Sequence, residues 1–135
     1  MRRWFTVTLV AVVLGSAING FAHHSTSYYS KEEKDFVKLT GKVVRWEFRS
    51  PHSQLYLEAE DKDGKLVTWR FESTPSAWLL REGVKKDSLA AGDIVTVEGF
   101  PIPGQPFAWL GMVTKADGTI LRPQRSSATP DWWRP

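Results

Sequence analysis

Three histidines are the residues of this sequence whose side chains offer the most distinctive chemistry. His23 and His24 stand side by side where an apolar N-terminal segment gives way to a polar one, and His52 follows a proline further along the chain. Imidazole is a common metal ligand and changes its charge near neutral pH. The chain contains no cysteine, so disulfides, thiolate metal sites and thiol catalysis are excluded.

Residues 1–22 predict a secretory signal peptide. Two arginines form a positive start, residues 5–14 form an apolar run of about the usual 7–15 residues, and Gly20 and Ala22 are small residues suited to a cut after Ala22. An uncleaved anchor is the alternative, but the apolar run is shorter than the ~20 residues that a membrane-spanning helix needs. The paired arginines also resemble the core of a twin-arginine signal, so the export route, Sec or twin-arginine, stays open.

Cleavage after Ala22 would make His23 the first residue of the mature protein, with a free α-amine. That amine and the Nδ1 atom of His23 can close a chelate ring around a metal, and the imidazoles of His24 and His52 can complete the ligand set. Nitrogen ligands of this kind suit Cu(II), Ni(II) or Zn(II), and affinity favours copper. The alternative without a metal is a solvated N-terminus and a His52 ring that bonds a backbone carbonyl across a tight loop.

Other side chains could contact a bound ligand or orient a histidine ring through its second nitrogen. The predicted ligand-binding or supporting residues are Trp46, Ser50 and Tyr56, and further acceptors for a histidine N–H are Asp35 and Glu47.

Charge, length and the known catalytic motifs exclude several classes of protein. Lys and Arg number 18 against 15 Asp and Glu, and removal of residues 1–22 takes away two arginines, so the mature net charge is 16 − 15 = +1. This leaves no strong electrostatic case for nucleic acid. The 113 mature residues (135 − 22) suffice for one domain. No nucleophile elbow, zinc-protease motif or phosphate loop is present, so we expect a protein that is not an enzyme.

Hydrophobic periodicity predicts a mainly β domain at residues 38–122, between an N-terminal arm at 23–37 and a flexible tail at 123–135. Apolar residues alternate with polar ones in three successive segments, a short helical segment starts near Thr74, and further strands follow. Three strands, a helix and two strands is the order of a small OB-like five-stranded barrel with one short helix between strands 3 and 4. A small β-sandwich is the alternative.

The same alternation predicts which side chains form the core. On the first strand it places Val44, Trp46 and Phe48 on the inner face. On the fifth strand Trp109 and Leu110 are both core candidates, although adjacent residues of a regular strand cannot both face inward.

Several short motifs lie along the predicted mature chain. They are His23-His24-Ser25, Gly41-Lys42-Val43, Trp46 with Pro51-His52, Asp61 to Gly64, Pro75 with Leu79 or Leu80 and Gly83, and the segment Leu89-Ala-Ala-Gly-Asp-Ile-Val-Thr-Val97. By these motifs the chain resembles a domain-of-unknown-function family of small exported bacterial proteins. Ser50 stands where that family has Asn before Pro-His, and one further residue separates Trp46 from the motif. The resemblance implies export and the fold rather than an activity, and it singles out the same three histidines.

These observations predict a periplasmic or secreted small-ligand binding protein that binds a late first-row metal, with copper favoured. The alternative is a non-enzymatic protein-interaction module of the cell envelope that uses an exposed sheet face and Trp132-Trp133. An exported haem carrier fits less well, because the chain has no histidine after His52 to ligate the iron.

Cleavage gives a first testable prediction. Protein recovered from the periplasm or medium of a bacterial host should have the mass of residues 23–135, because the small residues before His23 suit a signal peptidase. Intact-mass spectrometry measures this directly. A mass that retains any residue before His23 would contradict the prediction and would also remove the free amine from the proposed ligand set.

Overall fold

The computed structural model describes residues 26–123, 126 and 128–133 of the chain. One-turn 3₁₀ helices at Thr26–Tyr28 and Glu33–Asp35 precede the first strand. The remaining elements are β1 (Val37–Glu47), β2 (Gln54–Glu60), β3 (Leu66–Glu72), α1 (Ser76–Arg81), β4 (Ile94–Pro101), β5 (Phe107–Lys115) and β6 (Ile120–Leu121).

The strands form a closed barrel. Antiparallel pairing gives the order β3-β2-β1-β4-β5-β6, and a parallel pairing of β3 with β5 joins the first five strands into a ring. The single α-helix lies between β3 and β4 and buries Leu79. The prediction of a five-stranded barrel with one short helix between strands 3 and 4 is confirmed, and the sandwich alternative is wrong.

Strand β2 shows why the sequence forms this barrel. Leu55, Leu57 and Ala59 are buried in the interior, and the residues between them are partly exposed. The β2–β3 connection is a turn in which Asp61 Oδ1 accepts the backbone N–H groups of Asp63 and Lys65. This alternation of period two, ended by a turn with its own hydrogen bonds, is what specifies an antiparallel hairpin.

Strand β1 departs from regular alternation at a bulge. Its register against β2 shifts between Val43 and Arg45. Val43 is therefore buried, whereas Val44 is exposed and Trp46 is half-buried. The predicted inner position of Val44 was wrong, because a bulge places an extra residue in the strand and moves the side chains that precede it to the other face.

Both faces of β5 are covered, which explains how Trp109 and Leu110 are each buried. Leu110 belongs to the barrel interior together with Phe71. Trp109 belongs to a second apolar cluster on the outside of the barrel, which also contains Tyr29 and Trp133. We call this second cluster the outer cluster. Two neighbouring residues of β5 are therefore both buried because they pack against two different cores.

The last segment of the chain supplies part of the outer cluster. The Trp133 ring packs edge-on against Phe100 with centroids 5.3 Å apart, and Trp132 Nε1 donates a hydrogen bond to the Lys31 carbonyl at 2.6 Å. A Cβ atom on Gly111 would lie 3.0 Å from the Trp133 ring, so a larger residue here would require the ring to shift by a few tenths of an ångström. The described residues of 123–135 thus pack on the barrel, which differs from the flexible tail expected from composition.

Among the residues that the structure describes, no helix is long and apolar enough to cross a membrane.

The outer cluster gives a prediction about stability. Trp133→Ala should lower the free energy of unfolding by about 3 kcal/mol, the lower part of the range for removing a buried Trp ring. Urea denaturation measures the change. Trp78→Ala is the matched control, because that residue is 44% exposed on α1 against 9% for Trp133, and it should cost about 1 kcal/mol or less. Equal small effects would mean that the last segment contributes little to the fold.

Candidate functional site

His52 lies in the loop between β1 and β2, directly after a cis Ser50–Pro51 peptide bond. Ser53 anchors this loop from inside. Its buried hydroxyl donates to the Arg49 carbonyl and accepts the Arg49 N–H. Its carbonyl accepts the N–H of Ser73, so the loop is tied to the end of β3. The position of the His52 ring is therefore set by a hydrogen-bonded loop.

The His52 ring is oriented by two acceptors at the end of β3. Its Nδ1 atom lies 3.0 Å from the Ser73 carbonyl oxygen and 3.2 Å from Glu72 Oε1. A carbonyl oxygen can only accept, so Nδ1 carries the hydrogen and the lone pair of the neutral ring is on Nε2. The ring also packs edge-on against Trp109, with centroids 6.1 Å apart. This side chain is only about one-fifth exposed (21%), so its tautomer and its plane are both fixed.

Glu72 connects this ring to the N-terminal arm. Its second oxygen, Oε2, accepts a short hydrogen bond from the Tyr29 hydroxyl. Tyr29 is buried and packs edge-on against Trp109 and Phe107. Burial, followed by the hydrogen bond to the Glu72 carboxylate, raises the pKa of the Tyr29 phenol far above its usual value. One carboxylate thus bridges Tyr29 and His52.

The structure describes one of the three predicted histidine ligands. His52 lies at the centre of the contacts just described, whereas His23 and His24 lie outside the described residues. Within the described part of the chain, no group of three or more His, Asp or Glu side chains is arranged to hold a metal ion. A metal at His52 would therefore need ligands from residues 1–25 or from the other undescribed positions.

The predicted supporting residues make their contacts elsewhere. Trp46 Nε1 donates to the Lys85 carbonyl at 3.3 Å, and the Ser50 hydroxyl lies 3.3 Å from that of Ser76. The Tyr56 hydroxyl donates to Gln54.

The other two predicted acceptors are also engaged away from His52. Asp35 accepts the Ser30 hydroxyl, and Glu47 pairs with Arg45 and Arg49.

The residues that do support His52 are Glu72 and Tyr29, which sequence reasoning missed. Glu72 alternates along β3 with buried Phe71, and this period of two indicates a residue that faces outward. Tyr29 lies within the predicted N-terminal arm at 23–37. The outward side of β3 is covered at this point by the arm, and nothing local in the sequence shows that contact. The available signal was the Tyr28-Tyr29 pair, whose rings are unusual in a solvated segment.

Comparison with known proteins gives one match. A family model described as "Family of unknown function (DUF6152)" matches residues 11–108, which include the arm, His52 and the first four strands. No curated protein and no solved structure matches the chain.

The Tyr29–Glu72 bond predicts a specific pH dependence of stability. An unfolded tyrosine ionises near pH 10, whereas the raised pKa keeps Tyr29 protonated in the folded protein. Above about pH 10 the unfolded state binds fewer protons, so the free energy of unfolding should fall, by at most about 1.4 kcal/mol per pH unit for this group. Urea denaturation between about pH 8 and pH 11 measures this slope.

Two variants isolate the contribution of Tyr29 from that of other groups that titrate in this range. Tyr29→Phe should lose this part of the slope, because it has no phenol to ionise. Tyr28→Phe, at the exposed neighbouring ring, should keep it. Identical slopes in the parent and Tyr29→Phe would contradict the assignment.

Proposed function

The chain belongs to the family of unknown function DUF6152, and we propose that it is an exported small-ligand binding protein that holds a late first-row transition metal through its mature N-terminus and His52. Copper is the favoured metal, because an α-amine and imidazoles form an all-nitrogen ligand set and Cu(II) binds such sets most tightly. The site would act in the periplasm or outside the cell, where signal cleavage would supply the free amine.

The observation that carries this proposal is the carboxylate bridge from Tyr29 through Glu72 to His52. Metal-ligating histidines usually donate their second ring N–H to a carboxylate or a backbone carbonyl, which fixes the tautomer and the ring plane. His52 Nδ1 has both kinds of acceptor, at Glu72 and Ser73. The ring is therefore held in the form that can ligate a metal through Nε2.

The same bridge bears on whether His23 and His24 can reach His52. The Tyr29 hydroxyl bonds Glu72, and Glu72 in turn contacts His52. His24 precedes Tyr29 by five positions (29 − 24). Five residues span at most ~18 Å when fully extended. The one-turn 3₁₀ helix at Thr26–Tyr28 shortens part of that path, at a rise of about 2.0 Å per residue. His24 must therefore lie within ~18 Å of Tyr29, whose hydroxyl bonds the carboxylate beside His52.

Titration of the metal-free protein with Cu(II) against a competing chelator tests the proposal. The protein must carry its native N-terminus at His23. His52→Ala should weaken binding at least about tenfold, and one alanine added before His23 should do the same, because each change removes a ligand. Affinity should also fall steeply below about pH 6, where imidazole becomes protonated.

Glu72 gives the sharper test, since it supports the site without ligating the metal. Glu72→Gln should weaken Cu(II) about tenfold, as loss of an outer partner does in other metal sites. Glu60→Gln, at an exposed carboxylate at the end of β2, is the matched control and should bind as the parent does. If His52→Ala and the extended N-terminus both bind as tightly as the parent, the metal proposal is wrong. The alternative of an envelope interaction module would then remain, with the exposed Trp78 and Leu80 of α1 as its first candidate surface.

A further inference from the structure

A groove of about 450 Å³ opens at the end of the barrel opposite to His52. It lies where β1 and β3 begin and where the loop of residues 102–106 joins β4 to β5. His52 follows the other end of β1, so the groove does not belong to the site described above. Its volume falls within the ~300–1,000 Å³ typical of small-molecule pockets, and the mouth of a β-barrel is a common place for one.

The walls of the groove are apolar and stiff. Val67 and Trp69 of β3 form one side, and Ile102 with three prolines at 101, 103 and 106 forms the other. The loop is held in place by two backbone hydrogen bonds, from Ile102 N–H to the Phe107 carbonyl and from Arg70 N–H to the Pro106 carbonyl. A groove with fixed walls and an aromatic side loses little conformational freedom when a ligand enters.

The charged residues that line the groove, among those that the structure describes, have one sign. They are Asp35 and Asp61, and no described lysine, arginine or histidine lines it. Ser30 Oγ donates to Asp35, and two backbone N–H groups donate to Asp61 and lower its pKa, so both carboxylates are anchored by hydrogen bonds.

Neighbouring lysines only partly compensate these two charges. Lys34 pairs with Glu32, and Lys38 pairs with Glu98. Lys62 and Lys65 do act on Asp61. Lys34 also interacts electrostatically with Asp35, so each of the two carboxylates is partly compensated.

We infer that this groove binds a small organic cation that has an apolar or aromatic body and an ammonium group. The body would lie between Trp69 and the proline loop, and the ammonium would face Asp35 and Asp61. A metal ion would not suit the groove, since its walls are mainly apolar and its described lining residues include only two acidic side chains. This inference does not depend on the metal proposal.

Two probes that share a ring and differ in charge test the inference. Tryptamine carries an ammonium on an indole, and indole-3-acetate carries a carboxylate on the same ring. Titration of the nitrogen-15-labelled mature protein, followed by amide chemical shifts, gives both the affinity and the location. Tryptamine should shift the amides of Trp69, Ile102, Gly104 and Gln105, and should bind about tenfold more tightly than indole-3-acetate, a few-fold for each carboxylate.

Variants separate the charge from the apolar walls. The double variant Asp35→Asn with Asp61→Asn keeps the hydrogen-bond acceptors and should reduce the preference for tryptamine to about twofold or less. Asp63→Asn, in the same turn but outside the groove, should leave the preference unchanged. The inference is overturned if the probes bind equally to the parent, if the double variant keeps the full preference, or if neither probe shifts the groove amides at millimolar concentration.

Discussion

Three residue pairs between β3 and β5 are the constraint on which the rest of the structure depends. This parallel ladder runs from Arg70 opposite Phe107 to Glu72 opposite Trp109, and it closes the sheet into a barrel. The Arg70 guanidinium lies 3.8 Å from the centre of the Phe107 ring and covers the ladder from outside. The same register sets the Glu72 carboxylate beside the Trp109 indole, and these two groups are the surfaces that hold His52 and Tyr29. Barrel closure and the candidate site therefore rest on one pairing.

The outer cluster follows from that closure. A barrel of five short strands cannot bury every aromatic side chain inside, and Trp109 and Phe100 face outward, where water would contact them. The arm and the last segment cover them with Tyr29 and Trp133, which converts exposed aromatic surface into a second apolar core. Neither segment is expected to be ordered in isolation. Burial of its apolar side chains on the barrel surface stabilises each of them.

The sequence predicted those parts of the fold that local pattern controls. Strand β2 alternates strictly, as the predicted period of two requires, and the position of the short helix distinguished a barrel from a sandwich. The bulge after Val43 was not predictable, because its cause is the fit of β1 to its partner strand. The candidate site likewise has one part that the local sequence indicates and one part that only tertiary packing brings together. His52 was found from its residue type, whereas Glu72 and Tyr29, 43 positions apart, meet only through tertiary packing. The acceptors proposed from the sequence were instead Asp35, Glu47 and Tyr56, since the sequence alone gives no access to contacts of that range.

Two interpretations of His52 share its bond to the Ser73 carbonyl and differ in what Glu72 does. A histidine that only ties a loop to β3 needs no second acceptor, and Glu72 could then remain in water. Instead the carboxylate is partly buried between Tyr29 and His52, which costs hydration free energy that the two donors offset. This arrangement anchors the arm, at Tyr29, beside an oriented imidazole. A ligand that bridges His52 and the N-terminus would meet a chain that is already packed on the barrel at Tyr29, so less conformational entropy would be lost on binding. By linkage, the bound ligand would stabilise the packing of the arm in turn. Arm packing and ligand affinity would then be thermodynamically linked, and Glu72, which contacts both Tyr29 and His52, would be the residue that couples them.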